Sequence, residues 1–237
     1  MKCTKPATVG GMKMRFWMFL PGLLILFSAL AIHNPVYARE GPVEGKDYIW
    51  IDLGKKNEGF LLAQAEQGDG ITEDDIKADA DCRKLPFPYN GPGHNHMYFR
   101  IDDSFLRGGD HEVWIVMEYF DVGNQIDCQY DSNGAGPVDG AFRGAGDGAF
   151  ATLTPGNTET WKTHVWHITD GRFENRGNGS DFRLSTHAAG DMWVNRVWVL
   201  LFEPPDPFDP EDPFGIKAKT VQPWNTSATT WGAIKAE

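Results

Sequence analysis

The stretch His111-Glu112-Val113-Trp114-Ile115-Val116-Met117-Glu118-Tyr119-Phe120 decides the fold. Val113, Ile115, Met117 and Tyr119 make one apolar face, and Glu112, Trp114, Val116, Glu118 and Phe120 make the other. A period of two is the mark of a β-strand, because successive side chains leave the pleated backbone on opposite sides. The same period recurs outward from this segment. Met97, Phe99 and Ile101 oppose Tyr98, Arg100 and Asp102. Ile126, Cys128 and Tyr130 oppose Gln125, Asp127 and Gln129, and Trp161, Thr163 and Val165 oppose Lys162, His164 and Trp166. Residues Met192 to Phe202 are apolar on both faces except Asn195 and Arg196, which predicts a central strand. Gly-rich turns at 107–110, 131–137, 143–148 and 176–180 separate the runs, and no long 3.6-residue period competes. Together these features predict an all-β fold, an antiparallel two-sheet β-sandwich of the jelly-roll kind.

The two ends read differently. Lys2, Lys5, Lys13 and Arg15 precede an apolar run from Phe16 to Ile32, and Val36-Tyr37-Ala38 suits a signal-peptidase site. Residues 1–38 are therefore expected to be an export leader, cleaved or, as the alternative, retained as an anchor, which places the protein outside the cell or on its surface. Residues 39–203 would form the sandwich. Residues 204–237 open with Pro204-Pro205-Asp206-Pro207-Phe208-Asp209-Pro210 and are expected to be an extended Pro/Asp-rich tail without a core, a candidate docking segment for a surface partner. Phe208, Phe214 and Trp224 would be its anchors if it packed at all. Between the first strand-like run, Tyr48 to Leu53, and residue 95 the chain reads as acidic and loop-rich.

Composition narrows the function. The chain of 237 residues has 22 Lys+Arg against 33 Asp+Glu, a formal charge of −11. Without the four basic residues of the leader, 18 Lys+Arg face the same 33 acids, and the charge becomes −15. Nucleic acid is excluded as a partner, since phosphate contacts need clustered Lys and Arg. Once Cys3 leaves with the leader, Cys82 and Cys128 remain, and a pair of cysteines in an exported chain predicts one disulfide.

Catalytic motifs are absent. There is no G-x-S-x-G elbow and no phosphate-binding loop, and His111-Glu112 lacks the second histidine of a zinc HExxH. Glu112, Glu118 and Asp121 are the carboxylates that a polysaccharide hydrolase or lyase would use, but a solvated strand face explains them more simply. His94-x-His96 has no spaced carboxylate or cysteine to complete a zinc set. Among cations, Ca²⁺ is the one to test, at Asp102-Asp103, Asp121, Asp127, Asp131 or the Glu73-Asp74-Asp75 run.

Several short elements carry a resemblance. They are Tyr98-Phe99 before Asp102-Asp103-Ser104-Phe105, Glu118-Tyr119-Phe120-Asp121, Tyr130-Asp131-Ser132, Trp161-Lys162, Arg172-Phe173 and Asp181-Phe182-Arg183. Over roughly residues 45–203 the chain resembles the carbohydrate-binding-module and galactose-binding-like jelly rolls of bacterial extracellular proteins. The resemblance implies a non-catalytic module that binds a polysaccharide or other glycan. The motif residues themselves read as scaffold: Asp102 and Asp103 sit at a turn, Asp181 and Arg183 share a strand face, and Tyr119 belongs to the core face.

A binding face is therefore sought among the outward residues. Alternation turns out Trp114 and Glu118, Tyr98 and Arg100, Asp127 and Gln129, and His164 and Trp166, and Trp198 joins if its face turns the same way. Flat aromatics among Arg, Asp, Glu and Gln suit a sugar, whose C–H groups stack on rings while its hydroxyls need polar partners. The expected ligand residues are Trp114, Glu118, Tyr98, Arg100, Trp166 and Asp127. A structural or adhesive surface protein without a sugar ligand, its sandwich a spacer and its tail bound to a partner, is the alternative function. The competing reading of the face itself is that residues 54–95 cover these tryptophans and make them a second small core.

Overall fold

The structure, a computed structural model, describes residues 41–54, 57–67, 69–87, 95–123, 125–134, 140–145, 152–186 and 190–214. The leader at 1–38, His94, and the tail beyond 214 with Trp224 lie outside the described residues. Among the described residues twelve strands and no helix make two antiparallel sheets. The larger has the order β10 (Trp161–Gly171), β7 (His111–Phe120), β12 (Met192–Leu200), β1 (Tyr48–Asp52), β2 (Glu58–Phe60). Strand β5 (Ala80–Leu85) pairs with the first part of β12, and β4 (Glu73–Lys77) lies outside β5. The smaller sheet has the order β3 (Leu62–Ala65), β6 (Asn95–Ile101), β11 (Phe182–Thr186), β8 (Ile126–Tyr130), β9 (Arg143–Gly144).

The core lies between the sheets, where the alternating pattern puts it. Val113, Ile115, Met117 and Tyr119 of β7 meet Met97, Phe99 and Ile101 of β6, Ile126, Cys128 and Tyr130 of β8, and Phe182 and Leu184 of β11. In β12 the inward set changes from Met192 and Val194 to Val197 and Val199. A bulge between Val194 and Arg196 inserts one residue, and an inserted residue inverts the parity of everything after it. That is why this strand reads as apolar on both faces.

Three expectations are corrected here. Residues 54–95 are not a loop: β2, β3 and the β4–β5 hairpin run through them, and Ala78 and Asp79 take positive φ at the hairpin turn. These strands were hidden because most of their residues are polar on both sides. The predicted disulfide is not formed. Cys82 is on β5 of the larger sheet with its thiol toward the Asp75 carbonyl oxygen at 3.5 Å, and Cys128 is in the core on β8 of the smaller sheet. Burial raises both thiol pKa values, that of Cys82 to about 11, so both are neutral thiols. The hairpin is held by its own pairing and by Arg83–Asp74 and Lys84–Glu73, not by a staple. Finally, residues 204–214 are not a free tail, because Phe208 is 5% exposed against the larger sheet.

Buried aspartates take the place of long regular ladders at the loop ends. Asp121 accepts hydrogen bonds from the backbone N–H groups of Gly156 and Thr158, the Thr158 hydroxyl and the Lys162 ammonium. Asp131 holds the Arg176 guanidinium and the backbone N–H groups of Glu174 and Arg176. Asp181 accepts from the backbone N–H groups of Ile101 and Asn175. Each carboxylate ties together segments far apart in sequence, which is the scaffold role expected for the recurring Asp-containing elements.

Candidate ligand cleft on the outer face of the larger sheet

The register of the larger sheet writes three cross-strand rows on its outer face. Thr163, Glu118, Arg196 and Asp52 form one, by direct pairing across β10, β7, β12 and β1. His167, Trp114, Leu200 and Tyr48 form another. Between them lie Val165, Val116 and Trp198, with Trp50 on the neighbouring strand. The middle row is apolar on a face that would otherwise meet water, and residues 202–214 pack over it.

This segment is a compact closed loop. The Phe202 and Phe214 rings meet at 5.6 Å at its two ends, and Phe214 also lies 4.4 Å from Tyr48. The Phe208 ring sits edge-on against Trp198 at 5.1 Å. Arg196 donates to the Pro210 carbonyl at 3.2 Å and to Glu211 at 2.7 Å, and the Thr163 hydroxyl donates to the Phe208 carbonyl at 3.4 Å. A second small core does exist, as the competing reading required, but this loop is its cover and not residues 54–95.

A cleft of about 590 Å³ remains between the first limb of the loop and the β7–β10 edge of the sheet. Its floor is Trp114 with Thr163, His164, Val165 and His167 of β10, and its wall is Glu203 to Phe208. Trp114 is half-buried and stacks on its cross-strand partner His167 at 4.5 Å and 7°. Among the described residues its indole N–H makes no hydrogen bond. At the rim, exposed Glu112 pairs with the His167 Nε2 at 2.8 Å. The cleft thus offers an indole edge, three proline rings, an N–H donor and the carboxylates of Glu203 and Asp206. That combination of apolar walls with a few polar groups is what a small polar ligand requires.

A second cleft, of about 440 Å³, lies on the other side of the loop at the seam where β12 passes from pairing with β5 to pairing with β1. Trp50, Asp52, Glu58, Asp81, Asn195 and Arg196 are among its lining. Its cation is already engaged, since Arg196 reaches Glu211 at 2.7 Å, Asp52 at 3.5 Å and Glu118 at 3.9 Å. The Trp50 indole N–H is bonded to Glu44.

The six expected ligand residues do not form one site. Only Trp114 lines the cleft. Glu118 shares its face but is 12% exposed and sits beside Arg196. Trp166 is 2% exposed in the inter-sheet core, because β10 pairs it directly with the inward Ile115. His164 also pairs with the inward Met117 and its ring packs edge-on against Trp166, but it is only partly buried and contributes to the lining of the cleft. Tyr98, Arg100 and Asp127 belong to the smaller sheet. Tyr98 is fully buried, donating to Asp69 and accepting from Asn178 and Arg183. Arg100 is exposed and donates to the Gly179 carbonyl. Asp127 is fully buried and accepts from Gln129, whose own carbonyl holds Arg183. His167 and Thr163 were missed. The signal was available in Trp166 and Ile168, whose shared parity already turns Thr163, Val165 and His167 outward.

Two catalytic readings fail on geometry. Glu112 and Glu118 lie six positions apart on one strand, hence about 20 Å along it, whereas the acids of a glycosidase stand roughly 5–9.5 Å apart. Asp121, the third carboxylate, is fully buried in its cage. On the smaller sheet Ser185, His96 and Asp69 have the residue types of a nucleophilic triad, with 2.6 Å between Ser185 Oγ and His96 Nδ1 and 3.6 Å between His96 Nε2 and Asp69. Ser185 is fully buried, out of reach of a scissile bond. Among the described residues no group of three or more His, Cys, Asp or Glu is arranged to hold a metal ion. The acids considered for Ca²⁺ have partners of their own: Asp102 with Ser104, Asp103 with Arg107, Asp121 with Lys162, Asp127 with Gln129 and Asp131 with Arg176.

Glu118 makes one property of this face measurable. Burial pushes its carboxyl up to about 7, Arg196 opposes the shift, and Glu211 and Asp52 add to it. The folded chain therefore holds this proton more tightly than the unfolded chain, whose value is near 4.5. Stability from this group is full below about 4.5 and is lost as pH rises through about 7. Glu118→Gln is expected to stabilise the protein at pH 8 by about 1–3 kcal/mol and to change little at pH 5. Thermal melts at the two pH values check this; equal shifts at both would remove titration as the cause.

No known protein family matches the chain, and no curated protein does. Several solved structures are similar to part of it. The C-terminal family 6 carbohydrate-binding module of a laminarinase from Zobellia galactanivorans matches over 65% of this chain and 99% of its own, at 12% identity and a TM-score of 0.35. A family 29 carbohydrate-binding module matches over 64% of this chain and 89% of its own, at 12% identity and a TM-score of 0.38. A cleaved adhesin domain of Lys-gingipain from Porphyromonas gingivalis matches over 66% of this chain and 99% of its own, at 9% identity and a TM-score of 0.37.

Proposed function

We propose that this protein is a non-catalytic binder of neutral glycans, and that the ligand enters the cleft between the β7–β10 edge and residues 203–208. The observation that carries the reading is Trp114: a half-buried indole with an uncommitted N–H, lying in a cleft walled by proline rings and carboxylates. A pyranose ring presents C–H groups to the indole edge, Val165 and the prolines. Its hydroxyls can donate to Glu203 and Asp206 and accept from the indole N–H. Carboxylates on the cleft and a net charge of −11 repel uronate and sulfate groups, so neutral sugars are favoured over anionic ones. With the export leader expected at 1–38, the ligand would be met outside the cell or at its surface.

A glycan array followed by calorimetric titration tests this. Neutral glycans are expected to bind, and Trp114→Ala to weaken binding tenfold or more, or about 1–2 kcal/mol. Because Trp114 is only half-buried, its loss should lower the melting temperature by a few degrees at most, roughly 1 kcal/mol of stability. Unchanged affinity in Trp114→Ala would move the site elsewhere, and no binding by the parent chain would end the glycan reading.

A further inference from the structure

We infer that the cleft is blind-ended and takes the end of a glycan chain or a short oligosaccharide, not the interior of a long polymer; this rests on the glycan reading above. The floor runs along the outer residues of β10, from His167 through Val165 to Thr163. At the His167 end the rim is open, since both His167 and its partner Glu112 are exposed. At the Thr163 end the loop comes down onto the sheet: the Thr163 hydroxyl is bonded to the Phe208 carbonyl. Toward the middle of the sheet the Phe208 ring, buried on Trp198, closes the side.

The closure is built, not incidental. Phe208 is held by the second apolar cluster, and the limb that follows it is fastened by Arg196 through the Pro210 carbonyl and the Glu211 carboxylate. A chain crossing the face from Trp114 toward Trp198 and Trp50 would have to displace this loop. A terminal sugar entering from the rim would not. The cleft volume of about 590 Å³ suits a ligand of a few rings.

The test uses the full chain and compares ends with length. Neutral gluco-, xylo- and manno-oligosaccharides from disaccharide to hexasaccharide are titrated, together with the parent polymers before and after limited endo-hydrolysis. Affinity per mole of chain is expected to rise over the first few units and then stay level. Binding capacity of the polymer is expected to rise in proportion to the ends created by hydrolysis, and cyclic oligosaccharides of a sugar that binds in linear form should fail to bind. Polymer binding that follows mass and ignores the number of ends, or a cyclic ligand that binds as well as its linear counterpart, overturns the blind-ended cleft while leaving glycan binding in place. If no oligosaccharide and no polymer binds, the underlying reading fails, and this inference with it.

Discussion

Asp121→Ala is expected to lower stability by about 3–5 kcal/mol, the largest single effect foreseen outside the apolar core. The carboxylate is fully buried and gathers five donors among the described residues: two backbone N–H groups, the Thr158 and Tyr119 hydroxyls and one ammonium. Removing it leaves the Lys162 ammonium without its partner and the N–H groups of Gly156 and Thr158 without an acceptor. Those groups belong to the segment that leads into β10, so the edge strand of the larger sheet should loosen first. For a domain of this size the loss corresponds to roughly 6–20 °C in melting temperature. The pH dependence has the opposite sign to that of Glu118. Burial alone would raise the Asp121 carboxyl, but Lys162, Thr158 and the Gly156 N–H outweigh it and hold it below the usual range. Its contribution is therefore complete above the unfolded value and is lost as pH falls into the acid range. A melting temperature within two or three degrees of the parent, or the same deficit at pH 3 as at pH 7, would show that the cage contributes little.

Phe208→Ala should cost about 2–4 kcal/mol, at or below the usual range for truncating a buried phenylalanine because the loop can partly collapse onto the gap. The ring is 5% exposed and is the member of residues 202–214 that reaches Trp198. Its loss should hydrate Trp198 and shift the tryptophan emission to longer wavelength. Proteolysis should then cut within 203–211, where the parent chain is expected to resist it. Backbone hydrogen bonds cannot compensate, since Pro204, Pro205, Pro207 and Pro210 have no N–H to donate. A stable variant with unchanged emission would mean that Arg196 and Phe214 hold the loop unaided.

Much of this architecture was legible in the residue pattern. Val113, Ile115, Met117 and Tyr119 were assigned inward by alternation alone and are inward, as are Met97, Phe99 and Ile101. The Asp-containing elements read as scaffold, and Asp131 and Asp181 are buried acceptors for loop backbone. Asp181 braces the loop at Asn175, while Arg183 turns to Gln129 and Tyr98.

The candidate site was less legible, and the reason is the range of the forces involved. Alternation is a local property of the pleat, so it states that Trp114 and Ile115 point to opposite sides of β7. It cannot state which side of a second strand faces the same way. The β10–β7 register made that choice, and it sent Trp166 inward and His167 outward. The bulge before Arg196 made the same kind of choice for Trp198, since one inserted residue inverts every later side chain. Nor does a strand pattern say which sheet a strand joins. That is why Trp114 lies on one outer face while Tyr98, Arg100 and Asp127 lie on the other. Residues 204–214 show the limit most plainly. Their Pro and Asp content forbids a ladder, which the composition conveyed, but the burial of Phe208 depends on Val116, Trp198 and Leu200 arriving side by side from two other strands. The residue pattern thus determined the sandwich and the inward faces of β6, β7 and β8, because these follow from nearest-neighbour geometry. Only the tertiary structure decided which outward residues share a surface and what covers them, because that depends on pairings between segments distant in the chain.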